Sequence, residues 1–243
     1  MAKRPAAGRC VHCLGFCEEL TWDHVFPNAW YPITTPENLE KWKIPSCPPC
    51  NAKHGKSECD LLIRLGLCID PDDPRSAGIV EKALRALSAE AARNERDAKA
   101  RSARKREVLS QVFTGPNIPF AAVYPGFGPQ PGVLAADHVA VPIKKKSVDL
   151  LTEKIVRGIT YIEDGRFIES PYQIDFFALL EGSAAPLNKV LARFGRTYDR
   201  GPGITVERAV VPEDQMTSVY RVDIWGRLKT YAIVSDSRRE PVI

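Results

Sequence analysis

The chain has 243 residues, 44% hydrophobic and 26% charged, with a formal net charge of +4. This is the balance of a folded protein of one or two domains, and it excludes a disordered chain. No apolar run reaches the roughly 18 to 20 residues that cross a bilayer, and no apolar segment of signal-peptide length follows the basic start MAKRPAAGRC, so the expectation is a cytoplasmic protein with no membrane partner.

In chain order, residues 1–72 come first and are rich in cysteine and tryptophan. Cys10 and Cys13 form one CxxC pair, and Cys47 and Cys50 form a second. Seven cysteines, an odd number in a chain expected to be cytosolic, argue against a disulfide framework. A tetrahedral Zn²⁺ takes four thiolates at about 2.3 Å, and two CxxC turns supply them. Such a site is closed to water and substrate, so the zinc is structural and replaces a core that so short a segment lacks. With the ion saturated, His12 is expected to be exposed or backbone-bonded, and Cys17, Cys59 and Cys68 to be packed or free thiols.

Between the knuckles runs TWDHVFP, residues 21 to 27, followed by Asn38-Leu39, and the second knuckle leads into Asn51 in CPPCNAKHGK. Taken singly, Asp23 and His24 make a polar pair, Asn38 a cap and Asn51 a turn residue. Taken in order and bracketed by the two knuckles, residues 8 to about 60 resemble the zinc-supported HNH endonucleases. That resemblance implies a ββα-metal module in which His24 is the general base, Asp23 and Asn51 are oxygen ligands of one catalytic Mg²⁺ or Mn²⁺, and Asn38 holds the loop and orients the histidine. Where many members carry a lysine three residues after the asparagine, this chain has His54. Three roles stay open for it: contact with phosphate beside Lys53 and Lys56, donation to the metal, or plain helix surface.

The residue types suit the chemistry. Cleaving a phosphodiester takes an attacking water, a base for its proton, and positive charge for the pentacovalent oxygens and the leaving group. A neutral imidazole accepts protons at cellular pH, and Asp and Asn offer hard oxygens to Mg²⁺ or Mn²⁺.

Residues 73–112 are expected to form one long basic linker helix. IDPDDPRS marks its start, Ile79, Val80, Ala83, Leu84 and Leu87 recur at helical spacing, and Val108 and Leu109 close it, so its ends pack and its middle is wet. Nine basic residues against four acidic ones lie between Glu81 and Arg106. Arg101, Arg104, Lys105 and Arg106 are the candidates for phosphate contact, against the alternative of a solvated helix face.

Residues 113–243 are expected to form an α+β domain with an antiparallel sheet. Six prolines and four glycines between residues 113 and 142 preclude regular structure. SVDLLTEKIVRG predicts a helix ending at Gly158, ITYIEDGRFIE a hairpin turning at Asp164-Gly165, and PLNKVLARFG a short helix stopped by Gly195. ITVERAVV, SVYRVDIW and RLKTYAIV predict three strands, the last two joined at Gly226. ADHVAVP, with Asp137 and His138, repeats the DH pair without cysteines or a following asparagine, and is read as a decoy. Arg157, Tyr161, Arg166, Tyr220, Arg221, Trp225 and Arg227 line these elements and are assigned no site.

The fold class expected is therefore α+β: a small zinc-stabilised module, a basic helix and a C-terminal domain for specificity, regulation or a protein partner. The function expected is DNA hydrolysis, DNA being expected as the partner ahead of RNA, in a bacterial or phage-encoded defence or mobile-element system. The competing reading is a zinc-dependent nucleic-acid-binding protein or adaptor without cleavage.

Overall fold

The structure is a computed structural model and describes residues 4–128 and 132–238. Residues 1–3 of the basic start, 129–131 of the proline-rich connector and 239–243 lie outside the described residues. A two-residue ladder of β1 (Gly8–Arg9) and β2 (Phe16–Cys17) leads into an antiparallel hairpin of β3 (Thr21–His24) and β4 (Lys43–Ser46), and then helix α1 (Pro48–Gly66). Pro48 and Pro49 open α1, where the missing N–H groups cost nothing because first-turn donors have no partner within the helix.

The single linker helix is corrected to two, α2 (Ile79–Leu87) and α3 (Glu95–Leu109). The break at residues 88–94 falls where the apolar spacing stops, and Asn94 restarts the helix by accepting the Asp97 N–H at 2.9 Å. The chain doubles back, so Ile63, Leu87 and Val108 form a small core of their own. Among its described residues the connector is irregular as expected, with β5 (Phe113–Thr114) paired to β6 (Val139–Ala140) and three 3-10 turns.

Helix α4 (Lys145–Asp164) overrides two expectations. It continues through Gly158, and the supposed hairpin strand ITYIED is its last turns. Gly158 is small for packing: an added Cβ would lie 2.8 Å from Val25 Cγ2. Asp164-Gly165 is a helix end, Gly165 taking φ +65° and donating to the Tyr161 carbonyl at 3.0 Å.

Then follow β7 (Tyr172–Phe177), α5 (Glu181–Phe194), β8 (Arg196–Asp199), β9 (Ile204–Val211), β10 (Asp214–Ile224) and β11 (Leu228–Asp236). The three expected strands are present, and β7 and β8 join them in a five-stranded antiparallel sheet of order β7-β11-β10-β9-β8. Along β10, Met216, Ser218, Tyr220, Val222 and Ile224 point inward with the alternation a half-buried strand requires.

One core joins both ends of the chain. Val25, Phe26 and Ile44 of the hairpin region, Leu61 and Leu65 of α1, and Ile155 and Ile159 of α4 belong to the same buried cluster as Tyr220, Val222 and Trp225 of the sheet. Residues 1–72 therefore bury their apolar surface against residues 113–243. The architecture is mixed α+β with antiparallel sheets, and no helix among the described residues is long and apolar enough to cross a membrane.

Candidate functional site

The four cysteines converge. Cys10 and Cys13 lie in the turn after β1, where Leu14 takes φ +65° so that its N–H returns to the Cys10 carbonyl at 2.9 Å. Cys47 caps α1 and Cys50 sits in its first turn. All four sulfurs lie within 4.8 Å of one another, with Cys13 Sγ to Cys47 Sγ at 3.8 Å. A tetrahedron with arms of about 2.3 Å has edges of about 3.8 Å, so the cluster fits one metal ion such as zinc.

The thiols are poised for a cation. Burial pushes Cys10 up, but backbone N–H groups of Cys13, Cys47 and His12 outweigh it and bring the thiol down to about 6. Burial and the neighbouring sulfurs push Cys50 up. Several thiolates crowded together are stable only with a metal ion to neutralise them.

Behind the hairpin lies a buried charge network built by three elements. Asp23, 6% exposed, meets His12 Nε2 through Oδ2 at 3.1 Å and Lys154 Nζ through Oδ1 at 2.7 Å. Lys154, on α4 and 1% exposed, also donates to Glu58 Oε1 of α1. The His54 ring packs against that of His12, centroids 4.2 Å apart and planes tilted by 44°. Burial would raise Asp23, but the His12 hydrogen bond and the Lys154 ammonium outweigh it and hold the carboxyl below its ordinary value. Burial, with His12 and Lys154 adding repulsion, pushes His54 down to about 3.

Two expectations are corrected here. His54 is 3% exposed and so touches neither phosphate nor the helix surface, and His12 is a buried partner of Asp23. Both departures have one cause: residues far apart in the chain bring their polar groups to one carboxylate, His12 and His54 packing together beside Asp23 while α4 delivers Lys154 to it. Lys154 was missed for the same reason, since within KKSVDLLTEKIVRG it reads as an ordinary surface lysine.

His24 leaves β3 on the other face. Successive strand residues alternate, so Trp22 and His24 face away from Asp23 and line an open cleft of about 500 Å³ with Glu37, Glu40, Lys41 and Lys43. His24 is half-buried, and burial together with Lys43, Lys154 and Lys41 lowers its pKa, keeping the imidazole neutral near pH 7. Asn51 donates from Nδ2 to Thr21 Oγ1 at 3.0 Å and to the Trp22 carbonyl at 3.5 Å. Asn38 is exposed in the loop between the strands, and among the described residues no hydrogen bond joins it to His24. Lys53 and Lys56 are exposed on α1.

The divalent ion implied for Asp23 and Asn51 does not fit this arrangement. Both Asp23 oxygens are committed, one of them to an ammonium, and at an effective dielectric of about 20 a dication about 4 Å from an ammonium is opposed by roughly 8 kcal/mol.

The basic segment divides in two. Arg101 pairs with Asp97 at 3.1 Å and donates to the Arg85 carbonyl, and Arg104 donates to the Ala86 carbonyl at 3.3 Å, so both hold α3 to α2. Lys105 and Arg106 are exposed. Asp137 ends a 3-10 turn in the connector, and His138 bonds the Leu134 carbonyl at 2.9 Å.

Comparison with protein-family models, curated proteins and solved structures finds no match for this chain.

Proposed function

We propose that the chain is a phosphodiester hydrolase of the zinc-supported HNH kind, acting on DNA rather than RNA. The observation that carries this reading is His24: a neutral imidazole at the wall of an open cleft that also holds Trp22, Lys41 and Lys43 beside Glu37 and Glu40. His24 takes the proton from the attacking water as its oxygen bonds phosphorus, the bond from phosphorus to the leaving sugar oxygen breaks, and the cleft lysines supply positive charge to the phosphate oxygens and a proton to the leaving oxygen. Trp22, 41% exposed, adds an aromatic side chain to the cleft wall. Lys53 and Lys56 on α1, with Lys105 and Arg106 on α3, extend the contact to the phosphate backbone. Zinc on the four cysteines fixes the strand and helix that carry these groups. The chemistry rests on His24 and the cleft lysines rather than on Mg²⁺ or Mn²⁺ at Asp23.

A second reading, a zinc-dependent nucleic-acid-binding protein that does not cleave, is favoured by the engagement of Asp23 with Lys154. Purified zinc-loaded protein incubated with supercoiled plasmid, linear DNA and RNA, with and without Mg²⁺ or Mn²⁺, separates the two. Nicked or linear product supports hydrolysis, and binding without product under every condition supports the second reading. In either reading a protein partner or second copy is assigned to residues 113–243, where α5 packs on the sheet face that carries Arg221 and Tyr231.

A further inference from the structure

The centre behind the hairpin holds a lysine where the HNH resemblance puts a dication. Lys154 lies 131 residues after Asp23 in the chain, yet its ammonium is buried between carboxylates from two other elements, Asp23 of β3 and Glu58 of α1. An ammonium so placed supplies what a metal ion supplies to facing carboxylates, namely positive charge and bonds that fix both groups in one geometry. The lysine is delivered by a fixed helix. Gly158, one turn further along α4, lets it close on Val25, and the Thr152 and Thr160 hydroxyls bond Thr230 and Tyr220 of the sheet at 2.8 Å each. On its other side Asp23 is held by His12, which stands inside the first cysteine knuckle, so the network ties the metal cluster to α4 through one carboxylate.

We propose that Lys154 is the resident cation of this centre. It takes the place on Asp23 that a divalent metal ion would occupy, keeps such an ion out, and acts as a positioning residue that orients the Asp23–His12 pair on the face of β3 opposite His24. The inference refines the hydrolase reading without depending on it, because what occupies Asp23 is a property of the folded chain whether or not it cuts nucleic acid.

Mn²⁺ binding to the zinc-loaded full chain, followed by electron paramagnetic resonance, tests this without any cleavage assay. The parent should bind no Mn²⁺ that Asp23→Asn abolishes. Lys154→Met leaves two carboxylates without their cation and should gain one Mn²⁺ per chain, at least about tenfold tighter than any site of the parent. That ion should be lost again in Lys154→Met/Asp23→Asn. Because unpaired buried carboxylates can unfold the variant, its melting is followed in parallel, and Mn²⁺ should restore or raise the transition, as a ligand of the folded state does. An Asp23-dependent Mn²⁺ in the parent overturns the proposal. So does a Lys154→Met variant in which Mn²⁺ neither binds nor changes melting.

Discussion

Trp225, in the turn between β10 and β11, stacks on Trp30 at 5.0 Å and donates its indole N–H to the Trp30 carbonyl at 3.0 Å. Trp225 takes φ +55° and the following Gly226 +65°, the backbone of a tight hairpin turn, so the sheet's own geometry drives the indole into the first half of the chain. Both tryptophans are at most 1% exposed. The cysteine-rich segment and the sheet are thereby parts of one packed unit.

Loss of the metal should therefore be felt throughout the chain. Elemental analysis should find about one Zn per chain, and Cys47→Ser should remove it and lower the melting temperature of the whole protein in a single transition. Tryptophan fluorescence and far-UV circular dichroism should report the same midpoint. A metal-free parent with unchanged melting would contradict this, as would a sheet that melts independently of the cysteine cluster.

The junction of α4 with the hairpin can be probed at one atom. Gly158→Ala places a methyl group 2.8 Å from Val25 Cγ2 and should cost about 1 to 3 kcal/mol, more than the helix propensity it gains. Val25→Ala opens the space, so a double-mutant cycle should show Gly158→Ala losing most of its cost in that background. Equal costs in the two backgrounds would mean that α4 does not close on Val25, next after β3, in this way.

The same residues explain how much could be read from sequence. The paired CxxC motifs and the strands at ITVERAVV, SVYRVDIW and RLKTYAIV follow from local spacing and alternation, which act within a few residues. Gly158 and Gly165 depart from expectation because a glycine has two uses: one gives way to Val25 across the core and the other ends the helix. Only the tertiary contact distinguishes them. Lys154, His12 and His54 were illegible for a related reason. A buried charge is tolerated only with partners, and here the partners come from β3, α1 and α4, which nothing local in the sequence relates.

The basic segment makes a divided prediction. Lys105→Gln with Arg106→Gln should leave melting unchanged and lower the slope of log affinity against log salt for DNA by about two, one for each exposed cation that contacts phosphate. Arg101→Gln with Arg104→Gln should lower the melting temperature, since these side chains hold α3 to the carbonyls of Arg85 and Ala86. An unchanged salt slope in the first variant would return the run to a solvated helix face.

The proposed chemistry turns on one imidazole. The most direct measurement is the rate of plasmid cleavage by the parent, His24→Ala and His138→Ala, each checked for zinc content, folding and DNA affinity. Loss of a general base costs about 10² to 10⁴ in rate while leaving substrate binding in place. The account predicts a loss of that size for His24→Ala, with DNA affinity and zinc retained, and parent-like cleavage by His138→Ala. A parent that cleaves neither DNA nor RNA would contradict it, and so would a His24→Ala variant that cleaves as fast as the parent.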